Sequence, residues 1–270
     1  MKKRNSLLGR GYMGLIMAFL YAPIAVLIVF SFNSSKSRAL WTGFTLDWYK
    51  KMFTNEMILS SLANTLIIAI ISTIIATIIG TLAAIGINAM NRWVKSLVLN
   101  ITYMPIINPE IVTGVSLMLL FVFVRDRLGL PIEMGFLTLV LAHVTFSIPY
   151  VILNVLPKLS QMDKNIYNAA LDLGCNPAMA FIKVVIPEIM PGIISGFLMA
   201  FTFSLDDFII SYFVSGTTFS TLPITIYAMT RKKVSPEINA LSAVVFIVVM
   251  LVLIASNYVD AKREAEKKPY

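Results

Sequence analysis

Six long apolar stretches constrain this chain more than any other feature of its sequence. They cover residues 11–35, 57–91, 96–124, 134–157, 189–230 and 238–259, and the charges inside them are Glu110, Asp206 and Asp207. A hydrocarbon core about 30 Å thick is crossed by roughly 20 apolar residues in a helix. Because 58% of the residues are apolar and 13% are charged, little chain is left for a soluble domain. The sequence therefore predicts a single all-α integral membrane domain, residues 1–270.

The six apolar stretches predict six transmembrane helices. We expect these spans near residues 12–32, 60–88, 97–124, 136–156, 191–214 and 238–259. The first span follows a basic N-terminus, is longer than the core of a signal peptide and has no small-residue cleavage site after it. With both termini inside, the inner segments hold 13 Lys and Arg residues and the outer segments hold 9, which agrees with the positive-inside rule. A seventh span within 189–230 is the alternative, and it would place the C-terminus outside.

The sequence contains none of the patterns that we sought for catalysis or metal binding. It has no H-E-x-x-H zinc motif, no G-x-S-x-G nucleophile elbow and no Walker A phosphate loop. The single Cys175 cannot form a disulfide within the chain, and the single His143 cannot form a metal site by itself. On an apolar helix we expect His143 to be a hydrogen-bonded packing residue. The sequence thus predicts a protein that is not an enzyme and has no metal site.

Two adjacent predicted spans, the third and the fourth, contain a proline that is expected to interrupt the helix. In "IINPEIVTG", Pro109 has no N–H to donate, so a helix breaks or restarts there. Asn108 is expected to cap the helix that restarts, and Glu110 is expected to lie near the positive end of that helix. In "FSIPYV", Pro149 precedes Tyr150 and predicts a second interruption. Broken helices are tolerated in lipid where protein or a water-filled cavity covers the freed backbone. The pattern favours a pathway between helices, although kinks that serve packing alone are the alternative.

Adjacent acids lie within the fifth predicted span. A charged residue inside a span costs about 2.5–3.5 kcal/mol and by default indicates a functional pathway. Consecutive helix positions are about 100° apart, so one of Asp206 and Asp207 should face substrate while the other accepts a hydrogen bond from a neighbouring helix. With Glu110 and Tyr150, these acids form the predicted substrate pathway. The alternative is that the acids cap broken helices or hold two subunits together.

Two further patterns occur in the fifth stretch. Gly192 and Gly196 form a G-x-x-x-G pair, which we expect to serve helix packing within the bundle rather than dimerisation. Residues 223–231 are apolar but too short to cross the membrane. They are predicted to lie on the outer surface or to dip into the membrane and return.

The segment between the fourth and fifth spans, residues 158–189, is patterned more than a simple loop requires. Four of its residues share one helical face at the spacing i, i+3, i+4, i+7, namely Ile166, Ala169, Ala170 and Leu173. Gly174 should end this helix, Pro177 should begin a second one, and Pro187 should end that one. The small-residue face suits docking into a groove on another protein. A helix lying on the lipid surface is the alternative.

This segment resembles the cytoplasmic signature of the inner-membrane permeases of ATP-binding-cassette (ABC) importers. That signature is Glu-Ala-Ala, three residues, Gly, nine residues and Ile-x-Leu-Pro, and here Asn168 stands in place of the glutamate. The resemblance implies a type I (MetI-like) permease with six transmembrane helices and a cytoplasmic coupling helix between spans four and five. The residues to which it assigns ATPase coupling are Asn168, Ala169, Ala170, Asp172, Gly174 and Pro187.

The resemblance extends along nearly the whole chain. "MPIINPEIVTGVSL", "FTFSLDDFIISYFVSG", "TLPITIYAM" and "VSPEINALS" are similar to the second permease subunits of bacterial spermidine/putrescine importers. The likeness implies ATP-driven polyamine uptake across the bacterial inner membrane. It also implies a sister permease in a heterodimer, two ATPase subunits that bind ATP and Mg, and an external polyamine-binding protein, with no cofactor in this chain and no nucleic acid.

The sequence is also compatible with other functions. Permeases for another small organic solute or a cation complex share much of this pattern. A different class is an ion-coupled secondary transporter, in which Asp206 and Asp207 would bind protons or sodium. A membrane scaffold without a transport role would leave those acids unexplained.

Overall fold

The computed structural model of the chain describes residues 7–35, 40–232, 236–247 and 250. Its regular secondary structure within these residues is helical, apart from an isolated β-bridge between Asn33 and Phe44. The helices are α1 (Leu7–Ser31), α2 (Asp47–Thr54), α3 (Glu56–Ala89), α4 (Arg92–Ile107), α5 (Glu110–Leu128), α6 (Phe136–Gln161), α7 (Lys164–Asp172), α8 (Pro177–Ala180), α9 (Ile186–Asp206), α10 (Ile209–Val214), α11 (Leu222–Lys232) and α12 (Pro236–Ile247). The chain divides into two compact units. One unit is Ser60–Thr225, and the other consists of Met1–Leu59 together with Ile226–Tyr270.

Four described helices are long and apolar enough to cross a membrane. They are Gly9–Ser31, Glu56–Ala89, Phe136–Gln161 and Pro177–Asp206, and the bent pair of α4 and α5 makes a fifth if it is counted as one span. These helices overlap the first five predicted spans. Of the last predicted span, 238–259, α12 covers the beginning, and most of the remainder lies outside the described residues.

The helix break predicted at Pro109 is present. The axes of α4 and α5 differ by 103°, and Glu110 lies in the first turn of α5, as expected. The predicted cap is wrong, because Asn108 ends α4 and its backbone N–H donates to the carbonyl of Met104. Asn108 is extended and Pro109, with ψ of 134°, is also outside the helical region. Pro109 is the residue that flanks α5, and no side chain caps the new helix. A residue before proline is pushed out of the helical region, which explains the position of the break.

The interruption predicted at Pro149 is not observed. Helix α6 continues through both Pro149 and Pro157. Pro149 itself is buried among other helical residues, and in membrane proteins the packing of neighbouring helices compensates for the missing hydrogen bond. The proline therefore lies inside a continuous helix that forms much of the buried interior.

Helices α6 and α9 pack closely through the two glycines of the G-x-x-x-G pair. A Cβ atom on Gly192 would lie 2.8 Å from the carbonyl oxygen of Asn154, and one on Gly196 would lie 3.1 Å from the Cα of Val151. Around this contact, Val151, Val155 and Ile189 belong to one buried apolar cluster. The expectation that the glycine pair serves packing within the bundle is confirmed.

Short polar contacts attach the beginning of α11 to α3. The side chain of Asn64 donates to the carbonyl of Ser220 at 3.1 Å, and the backbone N–H of Leu222 donates to Thr65 Oγ1 at 2.7 Å. The hydroxyls of Ser61 and Thr225 are 2.6 Å apart. The short apolar segment of residues 223–231 lies within α11, and these hydrogen bonds attach the beginning of that helix to α3.

In the other unit, α2 folds back on the end of α1. The indole of Trp48 is buried and its N–H donates to the carbonyl of Asn33 at 2.7 Å. The hydroxyls of Ser31 and Tyr49 are 2.6 Å apart. These contacts order the polar connection between α1 and α2.

Candidate functional site

A cavity of about 120 Å³ lies within the unit of residues 60–225. It is lined by Pro105, Glu110, Thr113, Phe146, Tyr150, Phe203, Asp206, Asp207 and Ile210. The four residues that the sequence predicts for the substrate pathway are all among them, although they come from three separate parts of the chain. The structure thus brings Glu110, Tyr150, Asp206 and Asp207 together.

Two helix breaks meet at this cavity. One is the break between α4 and α5, which contributes Pro105 and Glu110. The other follows Asp206, where α9 ends, and α10 begins at Ile209. The predicted span 191–214 is therefore not one continuous helix. Irregular backbone at membrane depth is tolerated where it lines a cavity or is covered by protein, which is the situation of both breaks.

The two adjacent acids have different environments. Asp206 is exposed at the end of α9 and lines the cavity. The side chain of Asp207 is only 5% exposed, and its carboxylate accepts hydrogen bonds from the backbone N–H groups of Ile210 at 3.2 Å and Ser211 at 2.7 Å. Both acids line the cavity, but Asp207 also satisfies the free donors at the beginning of α10.

His143 on α6 lies beside Asp207. Its Nε2 atom is 3.5 Å from Asp207 Oδ2 and 3.0 Å from the hydroxyl of Ser211. Its Nδ1 atom is 2.7 Å from the hydroxyl of Ser204, which in turn is 3.2 Å from the hydroxyl of Ser72. The expectation that His143 is a hydrogen-bonded packing residue is confirmed.

Sequence reasoning missed the contact between His143 and the acid pair. The sequence did contain a relevant indication, because His143 and the two aspartates are polar side chains inside apolar spans, where a polar group without a partner is costly. Their positions in the chain are far apart, however, and no spacing rule joins them. The predicted hydrogen bond from a neighbouring helix to one acid is realised by the backbone of α10, with His143 of α6 close by.

Three aromatic residues, Phe146, Tyr150 and Phe203, also line the cavity. The ring centroids of Tyr150 and Phe203 are 4.4 Å apart, and those of His143 and Phe146 are 5.2 Å apart. Three of the lining residues are acidic and none is Lys or Arg. Carboxylates attract ammonium groups, and the faces of aromatic rings attract cations by roughly 0.5–2 kcal/mol. The chemistry of the walls suits an organic cation.

Metal binding has no comparable support in the described part of the chain. Among those residues, no three His, Cys, Asp or Glu side chains are grouped so that they could hold a metal ion.

The segment between α6 and α9 forms a second candidate site. Helix α7 begins after Asp163, whose side chain accepts from the N–H of Asn165, and it ends before Gly174, whose φ of +87° favours glycine. The two-helix arrangement that the sequence predicts is present, because Pro177 begins α8. On α7 the side chains of Asn168, Ala169 and Asp172 are exposed, so these three predicted coupling residues are accessible.

The face predicted for α7 needs correction. Ala170 is 8% exposed and is covered by its own chain, whereas Leu173 is 86% exposed. Tyr167, one turn before Ala170, packs against the buried cluster that includes Val155 and Ile189. The outward face therefore consists of Ile166, Ala169 and Leu173, and Ala170 belongs to the inward face. The sequence spacing alone did not show which side of the helix the rest of the chain would cover.

The end predicted at Pro187 is also wrong. A π-helical turn, Phe181–Val185, joins α8 to α9, and the N–H of Ile186 donates to the carbonyl of Phe181, five residues earlier. Pro187 then lies in the first turn of α9, directly after the π-helical turn. Helix α8, the π-helical turn and α9 thus form one continuous helix of 30 residues, Pro177–Asp206. It begins shortly after α7 and ends at Asp206, which lines the cavity.

Residues 76–261 match the family described as "Binding-protein-dependent transport system inner membrane component". The chain belongs to this family. The putrescine transport system permease protein PotI of Escherichia coli (strain K12) is 40% identical over 251 residues, which cover 92% of this chain and 89% of PotI. The spermidine/putrescine transport system permease protein PotC of the same strain is 36% identical over 94% of each chain. PotC of Haemophilus influenzae is 34% identical, over 94% of this chain and 97% of that protein.

Solved structures support the fold of this inner membrane component. A chain of a bacterial ABC transporter involved in the import of the acidic polysaccharide alginate superposes with a TM-score of 0.73, at 16% identity, over 97% of this chain and 96% of that chain. The alginate transporter in complex with an alginate-pentasaccharide-bound periplasmic protein gives a TM-score of 0.71. The expected all-α, type I (MetI-like) importer permease fold is confirmed, and the chain is a multi-pass membrane protein.

Proposed function

We propose that this chain is a permease subunit that carries polyamines such as putrescine and spermidine through the membrane in an ABC importer. The observation that supports it best is the cavity, which is lined by three acids and no basic residue although the whole chain carries a net charge of +8. Similar proteins named for putrescine and spermidine/putrescine transport add to this support. The alternative within the class is a permease for another small organic solute.

The wall chemistry fits a flexible polycation better than a neutral solute. A polyamine carries protonated amines along an apolar chain, so it needs separated anionic contacts with apolar surface between them. Asp206 at the end of α9 and Glu110 at the beginning of α5 supply acidic groups from two different helix breaks. Tyr150 and Phe203 add aromatic surface to the same cavity. Hydrogen bonds to charged groups contribute roughly 1.5–3 kcal/mol each, which is enough to select for charge.

Energy for transport is assigned to partner subunits. In this proposal the chain pairs with a sister permease, two ATPase subunits bind ATP and Mg, and an external binding protein delivers the substrate. This chain is then non-catalytic. The exposed face of α7, with Asn168, Ala169 and Asp172, is the surface that enters a groove of the ATPase. Because Asn168 replaces a glutamate, the contact at this position would use hydrogen bonding without a charge.

The proposed location is the bacterial inner membrane, with six spans and both termini in the cytoplasm. The basic N-terminus and the excess of Lys and Arg on the inner segments support this orientation. An alkaline phosphatase reporter fused after Tyr270 should be inactive, because it would remain in the cytoplasm. An active reporter would contradict the six-span topology and favour a seventh span within 189–230.

Uptake into proteoliposomes tests the proposed function. The complete transporter, with its ATPase, sister permease and binding protein, is reconstituted, and ATP is supplied on the ATPase side. We expect labelled spermidine or putrescine to accumulate when ATP is present, to persist when ion gradients are collapsed with ionophores, and to be displaced by unlabelled polyamine rather than by neutral amino acids or sugars. ATP-independent uptake that follows the ion gradient would indicate a secondary transporter. Failure to accumulate polyamine would overturn the substrate assignment.

A further inference from the structure

A buried polar cluster holds the break between α9 and α10. It consists of His143 on α6, Ser204 on α9, Ser211 on α10 and Asp207 between them. His143 is 1% exposed, and both Ser204 and Ser211 are also buried. Because His143 contacts α9 through one ring nitrogen and α10 through the other, a single side chain joins three helices at the break.

We propose that His143 is the positioning residue of the cavity, fixing the break between α9 and α10 and, through it, the positions of Asp206 and Asp207. The part of this inference that concerns transport rests on the polyamine function proposed above. The part that concerns the structure of the break stands on the hydrogen-bond geometry alone. His143 does not line the cavity, so it acts through the two aspartates rather than on substrate.

Helix α10 needs such support because it is only 6 residues long. A helix of that length is not stable alone, since its nucleation costs are recovered only by tertiary contacts. Its first turn is held by the Asp207 carboxylate, and its last turn is held by Thr138, which donates to the carbonyl of Val214 at 2.7 Å. Without His143, the side of α10 that carries Ser211 would lose its hydrogen-bonded link to α6.

The position of α10 also determines the shape of the cavity. Ile210 lines the cavity directly. On its other side α10 approaches Gly114 of α5 so closely that a Cβ atom there would lie 3.3 Å from the Cα of Ile210. A shift of α10 would therefore move Ile210 and Asp207, and it would change the direction of Asp206 at the end of α9.

The first test is amide hydrogen exchange of the purified transporter, followed by mass spectrometry. We compare the wild type with His143→Leu, which keeps an apolar side chain, and with His143→Gln, whose amide can still donate and accept near Ser211. In His143→Leu, the exchange rate of residues 207–214 should be about ten times that of the wild type, because hydrogen bonds of this kind contribute on the order of 1 kcal/mol or more. In His143→Gln, the rate should lie within about threefold of the wild-type rate. Thr145→Ala is the control, since Thr145 lies on α6 but is exposed and bonds only to Leu141.

Exchange identical to wild type in His143→Leu would overturn the inference. So would an equal increase throughout the chain with a lower melting temperature, because that would indicate a general structural role. These results do not depend on which solute is transported. Failure of the proposed polyamine function would show instead as absence of polyamine uptake by the wild type.

The second test is a double-mutant comparison of polyamine uptake. Ser204→Ala removes one hydrogen bond of His143 with little change in volume, and it should lower the uptake rate about threefold to tenfold. If His143 and Ser204 act through the acid pair, adding Ser204→Ala to Asp206→Asn should cause little further loss. Multiplicative losses in the double variant would mean that Ser204 and His143 act independently of Asp206, contrary to the proposal.

Discussion

Asp206→Asn should lower the initial rate of polyamine uptake by about tenfold to a hundredfold, because a hydrogen bond between a carboxylate and an ammonium group contributes roughly 1.5–3 kcal/mol. The substitution keeps the shape of the side chain and removes its charge. Asp206 is the clearest test among the cavity acids because it is exposed and no hydrogen bond of its carboxylate to the protein is observed in the described residues. The measurement is uptake of labelled spermidine into proteoliposomes at equal amounts of assembled transporter.

Asp47→Asn is the matched control. It removes the same charge from an exposed position on α2 that does not line the cavity, and uptake should remain near the wild-type rate. Asp207→Asn should also reduce uptake, but its effect has two sources because Asp207 additionally accepts hydrogen bonds from α10. Wild-type rates in Asp206→Asn, Asp207→Asn and Glu110→Gln together would mean that the acids are structural, and the case for a polycation would lose its physical support.

Local features of the sequence were enough to predict most of the helices. Charge-free stretches long enough to cross a membrane became helices, and the proline at position 109 produced the sharp bend between α4 and α5. Both follow from chemistry within a few residues, namely the cost of burying charge and the missing N–H of proline. The four residues predicted for the substrate pathway were chosen for a similar reason, since each is a polar group inside an apolar stretch, and they line one cavity.

Tertiary packing decided the features that the sequence did not predict correctly. Pro149 and Pro187 have the same missing N–H as Pro109, yet α6 continues through the first of them, and a π-helical turn places the second in the first turn of α9. The break after Asp206 has no proline or glycine beside it. It is held by His143, whose partners Ser204 and Ser211 are 61 and 68 residues away in the chain. No pattern of period or spacing in a single sequence reveals contacts over such distances.

The two helix breaks explain how an apolar bundle can hold three acids at one place. Backbone groups freed at a break need partners, and Asp207 supplies them at the beginning of α10. Glu110 occupies the first turn of α5, where the helix dipole favours a negative charge. The same acids that stabilise the breaks therefore give the cavity its negative character. Asp206 does not share this structural role, which is why its substitution separates transport from folding.

Ala169→Trp should lower polyamine uptake by about tenfold or more while the transporter stays folded, because overpacking a close interface costs roughly 1–3 kcal/mol. Ala169 is exposed on the outward face of α7, beside Asn168 and Asp172, where the ATPase groove is proposed to lie. The large ring has free space in the isolated chain, so the melting temperature of the purified permease should change little. Uptake and ATP hydrolysis are measured on the same reconstituted samples.

Ala170→Trp provides the matched comparison, since the same side chain is added one position along the helix. Ala170 is 8% exposed and faces its own chain. The ring would have to displace neighbours of the buried cluster that Tyr167 joins, so the melting temperature should fall. If α7 is a coupling surface, Ala169→Trp should separate hydrolysis from uptake, whereas Ala170→Trp should reduce the amount of folded protein. Normal uptake by Ala169→Trp would show that the outward face of α7 contacts no partner, and the proposed coupling role would then have to be abandoned.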